Sequence, residues 1–460
     1  MTLLSMPQPR TPLPGDEGGQ SPARRPLLLV SYDFPPVQGP GIWRALGMAR
    51  HLPEFGWDVQ VFAADRSHWH ARQDSELLSR VPAAVSVTRV RAVPFGRGPL
   101  AALPEPLARR IRGLVPDPLL LPVLRLLAAV RRAAPPGPRV LVTTGPPHVV
   151  HLIGLALARS PDWYWVADYR DPWMDDEAQR WRGPYQSWLG RNAEQAVLER
   201  ADLVTTVSPT WERQLSTRRQ APTALIRNAT NIESGTVPDA ERPWPAHERV
   251  LLFPGTPQPG NSSMTIWDGI RDYAQRCGGG SPLRLVFTGL YEDVHAIIRE
   301  YGIGHLVEDI GPQPYRRALA LMRGADGILV PVSTPPTSPG TIPAKIYDAL
   351  ALGCSIFLLA DPEGDAAALL AGGGHMVVPS GDPGEFAEGL RRFASGEPTK
   401  DPTVPADLIG WDRRASAEAL DRLLRQHGPF ADLRTVPIRG EAGSPLAGSA
   451  PGTGPAARRA

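Results

Sequence analysis

Short apolar runs recur along both halves of the chain, each separated from the next by a stretch with helical spacing, and this alternation constrains the fold more than any other feature. Runs at 27–30, 57–63, 140–143 and 164–167 occupy the first half; runs at 250–253, 283–288, 305–310, 327–332, 357–359 and 376–379 occupy the second. Apolar runs of that length, bounded by Gly and Pro, read as buried strands, and strands alternating with helices read as parallel sheets. The pattern predicts an α/β protein with two doubly wound parallel-sheet domains. At 460 residues the chain has room for both.

Composition sets the limits. A net charge of +2 argues against a nucleic-acid partner, and Cys277 and Cys354, without a CxxC pattern, suggest a reducing compartment and no zinc site. Residues 1–25, rich in Pro, Gly and Gln, read as a disordered leader, and 427–460 as a mostly disordered tail. No apolar stretch approaches the length of a membrane span. The expected layout is a first domain at 26–232, a Pro-rich linker at 233–248, a second domain at 249–410 and a final helix at 411–426. A cytoplasmic location follows. Within the first domain the excursion 91–139 carries nine arginines against Glu105 and Asp117, with apolar residues interleaved and Pro116, Pro118 and Pro122 as expected breaks. It admits two readings: basic amphipathic helices that dock on an anionic membrane surface from its inner face, or helices packed on the domain with solvated arginines.

Several clusters fall where strands should end, which is where open α/β sheets bind ligands. After 27–30 comes a loop with Gly39, Pro40 and Gly41; its backbone is able to approach a pyrophosphate, although Arg44 stands where a dinucleotide fingerprint needs a third glycine. After 140–143, His148 and His151 share an i, i+3 spacing. No third ligand follows to make a metal site, and one imidazole looking into a cleft is the better reading. After 164–167 come Asp168, Arg170 and Asp171, candidates either for chemistry or for a salt-bridged turn. In the second half Gly255 and Thr256 end a strand, and residues 340–352 form an expected helix starting near Ile342, with Pro343 in its first turn. Its start, with Thr341, Ile342 and Lys345, suits a phosphate, and Asp348 suits ribose hydroxyls; an ordinary amphipathic helix with a solvated Lys and Asp satisfies the same spacing.

Residues 340–357, with Pro343, Lys345, Asp348 and Gly353-Cys354-Ser355-Ile356-Phe357, resemble the donor-site signature of family 4-like glycosyltransferases of the GT-B fold. The opening Tyr32-Asp33-Phe34-Pro35-Pro36 with Gly39-Pro40-Gly41, the segment 201–209, the run 224–229 and the closing stretch 372–383 resemble the same family. The resemblance implies two Rossmann-like domains facing a cleft and retaining transfer of a sugar from a nucleotide-diphosphate sugar, as co-substrate, to a glycan, lipid-linked or small-molecule acceptor. No cofactor and no catalytic metal are implied. Gly39, Gly41, Gly255, Thr256, Thr341, Ile342 and Lys345 would hold the diphosphate and Asp348 the ribose. Asp168, Arg170 and Asp171 would line the catalytic and acceptor side, with His148 and His151. The chain departs from the family at Gly340, where many members carry a second Glu, and after Gly255, where members carry an Arg and a Lys. A nucleotide-sugar epimerase of the same fold and a non-catalytic binding protein are the alternatives.

Overall fold

The apolar runs assemble into two separate sheets in which every strand lies parallel to its neighbours. The computed structural model describes residues 25–39, 41–65, 73–92, 104, 117, 119–174, 183–232, 236–257, 261–277, 281–332, 339–397, 402–403 and 412–430. The expected leader, most of the expected tail, Pro40, part of the linker and most of 91–118 lie outside them.

The first sheet comprises β1 (Arg25–Ser31), β2 (Trp57–Asp65), β3 (Ser86–Arg91), β4 (Arg139–Gly145), β5 (Trp163–Tyr169), β6 (Leu203–Thr206) and β7 (Thr223–Leu225), in the order β3-β2-β1-β4-β5-β6-β7. Around it lie α1 (Ile42–His51), α2 (Glu76–Ser79), α3 (Leu120–Ala133), α4 (His151–Leu157), α5 (Pro184–Arg200) and α6 (Pro209–Ser216). The second sheet comprises β8 (Arg249–Phe253), β9 (Leu283–Phe287), β10 (Val307–Asp309), β11 (Gly327–Pro331), β12 (Ile356–Ala360) and β13 (Met376–Pro379), in the order β10-β9-β8-β11-β12-β13. Its helices are α7 (Asn261–Cys277), α8 (Glu292–Tyr301), α9 (Tyr315–Gly324), α10 (Ala344–Ala351), α11 (Asp365–Leu370) and α12 (Pro383–Ala394). The last helix, α13 (Arg413–His427), returns to the first domain, where Ala417, Leu420 and Leu424 join the core of Leu27 and Val59. Asp421 fixes it there by accepting from Trp57 Nε1 at 2.8 Å.

Both faces of each sheet are covered, so alternate residues of one strand enter different cores. Leu28 and Val30 pack on one side of β1, Leu27 and Leu29 on the other. This two-sided burial is why the strands read as continuous apolar runs, with each buried Leu or Val worth about 1.5–3 kcal/mol. Edge strand β3 escapes that pattern because only Val87 and Val90 are apolar in it.

Two boundaries differ from expectation. The donor-signature helix begins at Ala344, because Pro343 has an extended ψ of 136° and acts as the N-cap. Pro122 does not break α3, since it sits in the first turn, where no helical acceptor awaits its missing N–H. The helix α3 buries Val123, Leu126 and Val130 against the domain and exposes Leu121, Leu124 and Arg125.

Helix α4 lies so close to β5 that only glycine fits at position 154, where a Cβ would come within 1.8 Å of Trp165 Cε2. The Trp165 indole in turn donates to Thr143 Oγ1 at 2.9 Å. Gly154→Ala should therefore destabilise the protein by about 1–3 kcal/mol through overpacking, against the roughly 1 kcal/mol gain that alanine brings to an open helix. Urea denaturation of the variant measures this, and an unchanged or raised midpoint would contradict the close contact.

Candidate functional site

Each sheet reverses its strand order once, between β1 and β4 in the first domain and between β8 and β11 in the second. The loops beyond the carboxyl ends of those strands form the crevices in which such folds bind ligands. The predicted site residues cluster in these two places.

In the first domain Asp168, at the end of β5, has no exposed surface. Its carboxylate accepts from Arg44 Nε at 2.9 Å and Nη2 at 2.7 Å, from Thr144 Oγ1 at 2.7 Å and from Thr205 Oγ1 at 2.6 Å. Arg44 is itself buried, and its third nitrogen donates to the Ile226 and Arg227 carbonyls at 2.8 and 3.2 Å. Burial alone would push the Asp168 carboxyl up; the Arg44 charge and these hydrogen bonds hold it below its usual value. With every oxygen taken and no access, Asp168 ties α1, β4, β5, β6 and the exit of β7 together, and the expectation that it lines the acceptor side is corrected. Arg170 is likewise a tie. It is 9% exposed and donates to the Gly145 carbonyl at 2.8 Å, to Pro146 at 2.5 Å and to Gly41. It fastens the glycine loop after β1 to the loop after β4, so the Gly41 carbonyl points into protein. Gly39 accepts from Ile42 N at 3.4 Å, opening α1. Asp171, the next residue, is partly exposed at the rim.

His148 and His151 lie beneath that floor rather than in it. Both are buried, and their rings stack on Tyr169, at 5.4 and 4.8 Å between centroids. Thr143 Oγ1, which accepts from Trp165, also shares a hydrogen bond with His151 Nδ1 at 2.8 Å. Burial pulls His151 down to about 3 and His148 well below its ordinary value, so both imidazoles are neutral. They support Gly145, where a Cβ would meet His148 Nδ1 at 2.7 Å. The expectation of a cleft-facing imidazole is corrected: the sequence spacing reported a packed aromatic block. Among the described residues no group of three His, Cys, Asp or Glu side chains is arranged to hold a metal.

The second domain presents a different chemistry. Gly255, at φ 148°, turns the chain after β8, and a Cβ there would come within 2.5 Å of Lys345 Nζ. Lys345 stands in the first turn of α10, partly buried, with its ammonium 4.3 Å from the centroid of Phe253. Among the described residues no carboxylate lies within ion-pair distance of it, and burial lowers it to about 8. A cation, a side-chain-free turn and the N–H groups of a helix start thus converge, which is what an oxyanion needs. Thr256 borders the cradle beside Gly289, where a Cβ would lie 3.4 Å from Thr256 Oγ1. Ile342 is buried in the core below, and Thr341 is partly exposed above it.

Asp348, one turn further along α10, is buried and joins the domains. Its Oδ1 accepts from Thr230 Oγ1 at 2.8 Å and Asn231 N at 3.1 Å, both leaving the first domain; its Oδ2 has one described donor, Tyr315 OH, at 3.1 Å. Burial raises its carboxyl against the pull of these bonds. Further contacts close the same interface. Trp43 packs on Tyr315 at 5.5 Å, and Thr210 donates from N and Oγ1 to Asp365, both at 2.9 Å. Trp211 covers Gly340, where a Cβ would fall 2.2 Å from its Nε1. That contact accounts for the glycine in place of the family's second Glu: the indole occupies the space. Sequence reasoning missed Trp43, Trp211 and Tyr315, since a partner in the other domain leaves no periodic trace. The polar segment Thr230-Asn231, just past a first-domain strand, was the available signal.

Residues 41–229 match the family model described as a glycosyl transferase 4-like domain. No curated protein matches the chain. Among solved structures, sucrose-phosphate synthase from Thermosynechococcus elongatus is similar with a TM-score of 0.61 at 17% identity, over 88% of this chain and 99% of that one. The α,α-trehalose 6-phosphate synthase from Burkholderia multivorans gives 0.57 at 12% identity, over 88% and 96%. The UDP-GlcNAc 2-epimerase from Neisseria meningitidis, bound to UDP-GlcNAc, gives 0.53 at 13% identity, over 87% and 100%. At such identities the likeness is one of fold.

The Arg44–Asp168 pair yields a direct test. Asp168→Asn leaves the buried guanidinium uncompensated and should cost about 3–5 kcal/mol of stability at neutral pH. Because the native carboxyl is held below its unfolded value of about 4, its contribution is present above that pH and is lost as pH falls through the native value. Equilibrium unfolding of wild type and variant from neutral to acid pH should show the two converging at the acid end; parallel curves would refute the assignment.

Proposed function

We propose, for this glycosyl transferase 4-like protein of the GT-B fold, that it moves a sugar from a nucleoside-diphosphate donor to an acceptor hydroxyl, with the donor's diphosphate seated on Lys345. The observation that carries this reading is the partly buried Lys345 ammonium beside Gly255 at the start of α10, without a carboxylate partner among the described residues. Departure of the diphosphate builds negative charge on its oxygens and positive charge on the sugar, so the site must neutralise the leaving group. In this reading Lys345 and the N–H groups of α10 carry that charge, Gly255 lets the diphosphate approach the backbone, and Thr256 and Thr341 flank it. Asp348, held on Oδ1 by Thr230 and Asn231, offers Oδ2 to a ribose hydroxyl. Asp171, at the exposed rim beyond β5, is the first-domain carboxylate nearest in kind to an acceptor contact. Asp168 and Arg170 act as positioning residues. Retention of configuration belongs to the reading through the family likeness.

The exposed Leu121 and Leu124 beside Arg125 on α3 support a lipid-linked acceptor approached at a membrane surface. A sugar epimerase is the second reading, favoured by the similarity to the UDP-GlcNAc 2-epimerase. Incubating the protein with donor sugars and no acceptor separates the two, since only an epimerase then changes the sugar's stereochemistry.

The donor cradle is tested by thermal-shift and calorimetric titration with UDP, GDP, ADP and TDP. One nucleotide should stabilise the protein, and Lys345→Ala should weaken its binding about tenfold or more. Lys345 loses its proton near pH 8 when free, whereas a bound diphosphate would hold that proton to higher pH. Binding above pH 8 then takes up a proton, and the dissociation constant should rise by about tenfold per pH unit. The K345A variant should lack this slope. A pH-independent affinity in wild type would remove Lys345 from the cradle.

A further inference from the structure

Helices α3, α4 and α5 cover one face of the first sheet, with Val123, Ile153 and Val197 in a shared core. Helix α5 leaves β5 and reaches β6, which opens at Leu203 just after α5 closes at Arg200. It therefore runs back across the sheet, and its start lies at the carboxyl edge, where such folds bind ligands. The inner side of that start is fixed: Gly190 presses on Met174 of the loop after β5, where a Cβ would come within 2.5 Å of the Met174 sulfur.

The outer side carries two aromatic rings. Tyr185 and Trp188 are 52% and 55% exposed, more than any other large apolar side chain among the described residues. Their centroids lie 6.4 Å apart and their planes 23° from parallel. A single exposed aromatic is ordinary; two that adjoin make a patch, and exposed patches mark contact surfaces. Three and four positions beyond Trp188, on the same stripe of the helix, Arg191 and Asn192 are exposed as well. Asn192 Nδ2 donates to the Trp188 carbonyl at 2.7 Å, which holds the amide on that stripe. The stripe thus passes from ring faces to hydrogen-bonding groups, whereas the exposed stripe of α3 passes from Leu121 to Leu124. A lipid surface suits the second pattern and a sugar the first. A pyranose presents a flat C–H face of slight positive charge, which meets the negative face of an aromatic ring, and a rim of hydroxyls that needs donors and acceptors.

We propose that Tyr185 and Trp188 form a stacking platform for a glycan, taking pyranose units whose ring hydroxyls are equatorial and whose faces are therefore flat, with Arg191 and Asn192 on the hydroxyls. The inference deepens the transferase reading and rests on it for its place in the reaction: it makes the acceptor a glycan, bound through its sugars whether or not a lipid is attached. The platform belongs to the first domain, apart from Lys345 and Gly255 in the second.

The test is an isothermal titration of cellotetraose, maltotetraose and chitotetraose into the full-length protein. At least one should bind, and its affinity should fall about three- to tenfold in Trp188→Ala and in Tyr185→Ala. Trp188→Phe, which keeps a ring, should retain most of the affinity, while Trp188→Leu, which keeps apolar area without one, should lose it as W188A does. Both side chains are exposed, and either alanine variant decides the matter if the other fails to fold. Binding should persist in Lys345→Ala, so a failed donor cradle leaves this test standing. Flotation with phosphatidylglycerol vesicles, run in parallel, reports on the other occupant: release of W188A from vesicles with tetrasaccharide binding unchanged marks a membrane face and overturns the proposal. So does a wild type that binds none of the three tetrasaccharides, or equal binding in the folded alanine variants.

Discussion

The arrangement of the first domain depends on one buried ion pair. Arg44 and Asp168 come from α1 and the end of β5, and between them they collect Thr144, Thr205 and the carbonyls of Ile226 and Arg227. These are the ends of β4, β6 and β7, so a single bidentate contact sets the relative height of most loops on the ligand-binding edge. Taking two charges out of water is expensive, and the interaction is sustained by the further hydrogen bonds to Thr144, Thr205 and the two carbonyls. Arg170 repeats the device one layer up, trading a charge partner for three backbone carbonyls. The strand-end charges thus build the rim of the first domain's crevice; they do not react in it.

In the second domain Lys345 has no carboxylate partner among the described residues. Lys345 rests on the Phe253 ring beside a turn that excludes any side chain, and its ammonium is lowered by burial alone. Where Arg44 is matched atom for atom, Lys345 has no carboxylate partner among the described residues. The contrast separates a compensated charge from an uncompensated one more surely than residue type does, since both sit at the start of a helix after a sheet's first strand or its switch-point neighbour.

The two parallel sheets were legible in the apolar runs because both faces of each sheet are buried, which erases alternation and leaves unbroken Val, Leu and Ile. Edge strand β3 was not, for it lacks a second covering. Lys345 and Gly255 were legible as well, each from its place in a motif. Asp168 and Arg170 were found as residues but read for the wrong task, because sequence shows a charged pair at a strand end without showing that Arg44, 124 positions away, already neutralises it. His148 and His151 misled for a related reason: their spacing describes a helix face, and only Tyr169 and Trp173 stacking on them reveals that the face points inward. Gly340 looked like a missing carboxylate until Trp211 accounted for it.

Residues 226–231, at the exit of the first domain, tie these pieces into one system. Within six residues the chain passes from the Ile226 and Arg227 carbonyls on Arg44, through Thr230 and Asn231 on Asp348, to the Asn231 side chain on Arg413. One end is therefore anchored to the first domain's charge pair and the other to α10 of the second, with α13 bracing that end. Any rotation of the domains must break the Asp348 contacts or carry Asn231 away from Arg413. A segment fixed this tightly acts as a hinge with few settings, held by Asp348 on one side and by the Asn231–Arg413 contact on the other.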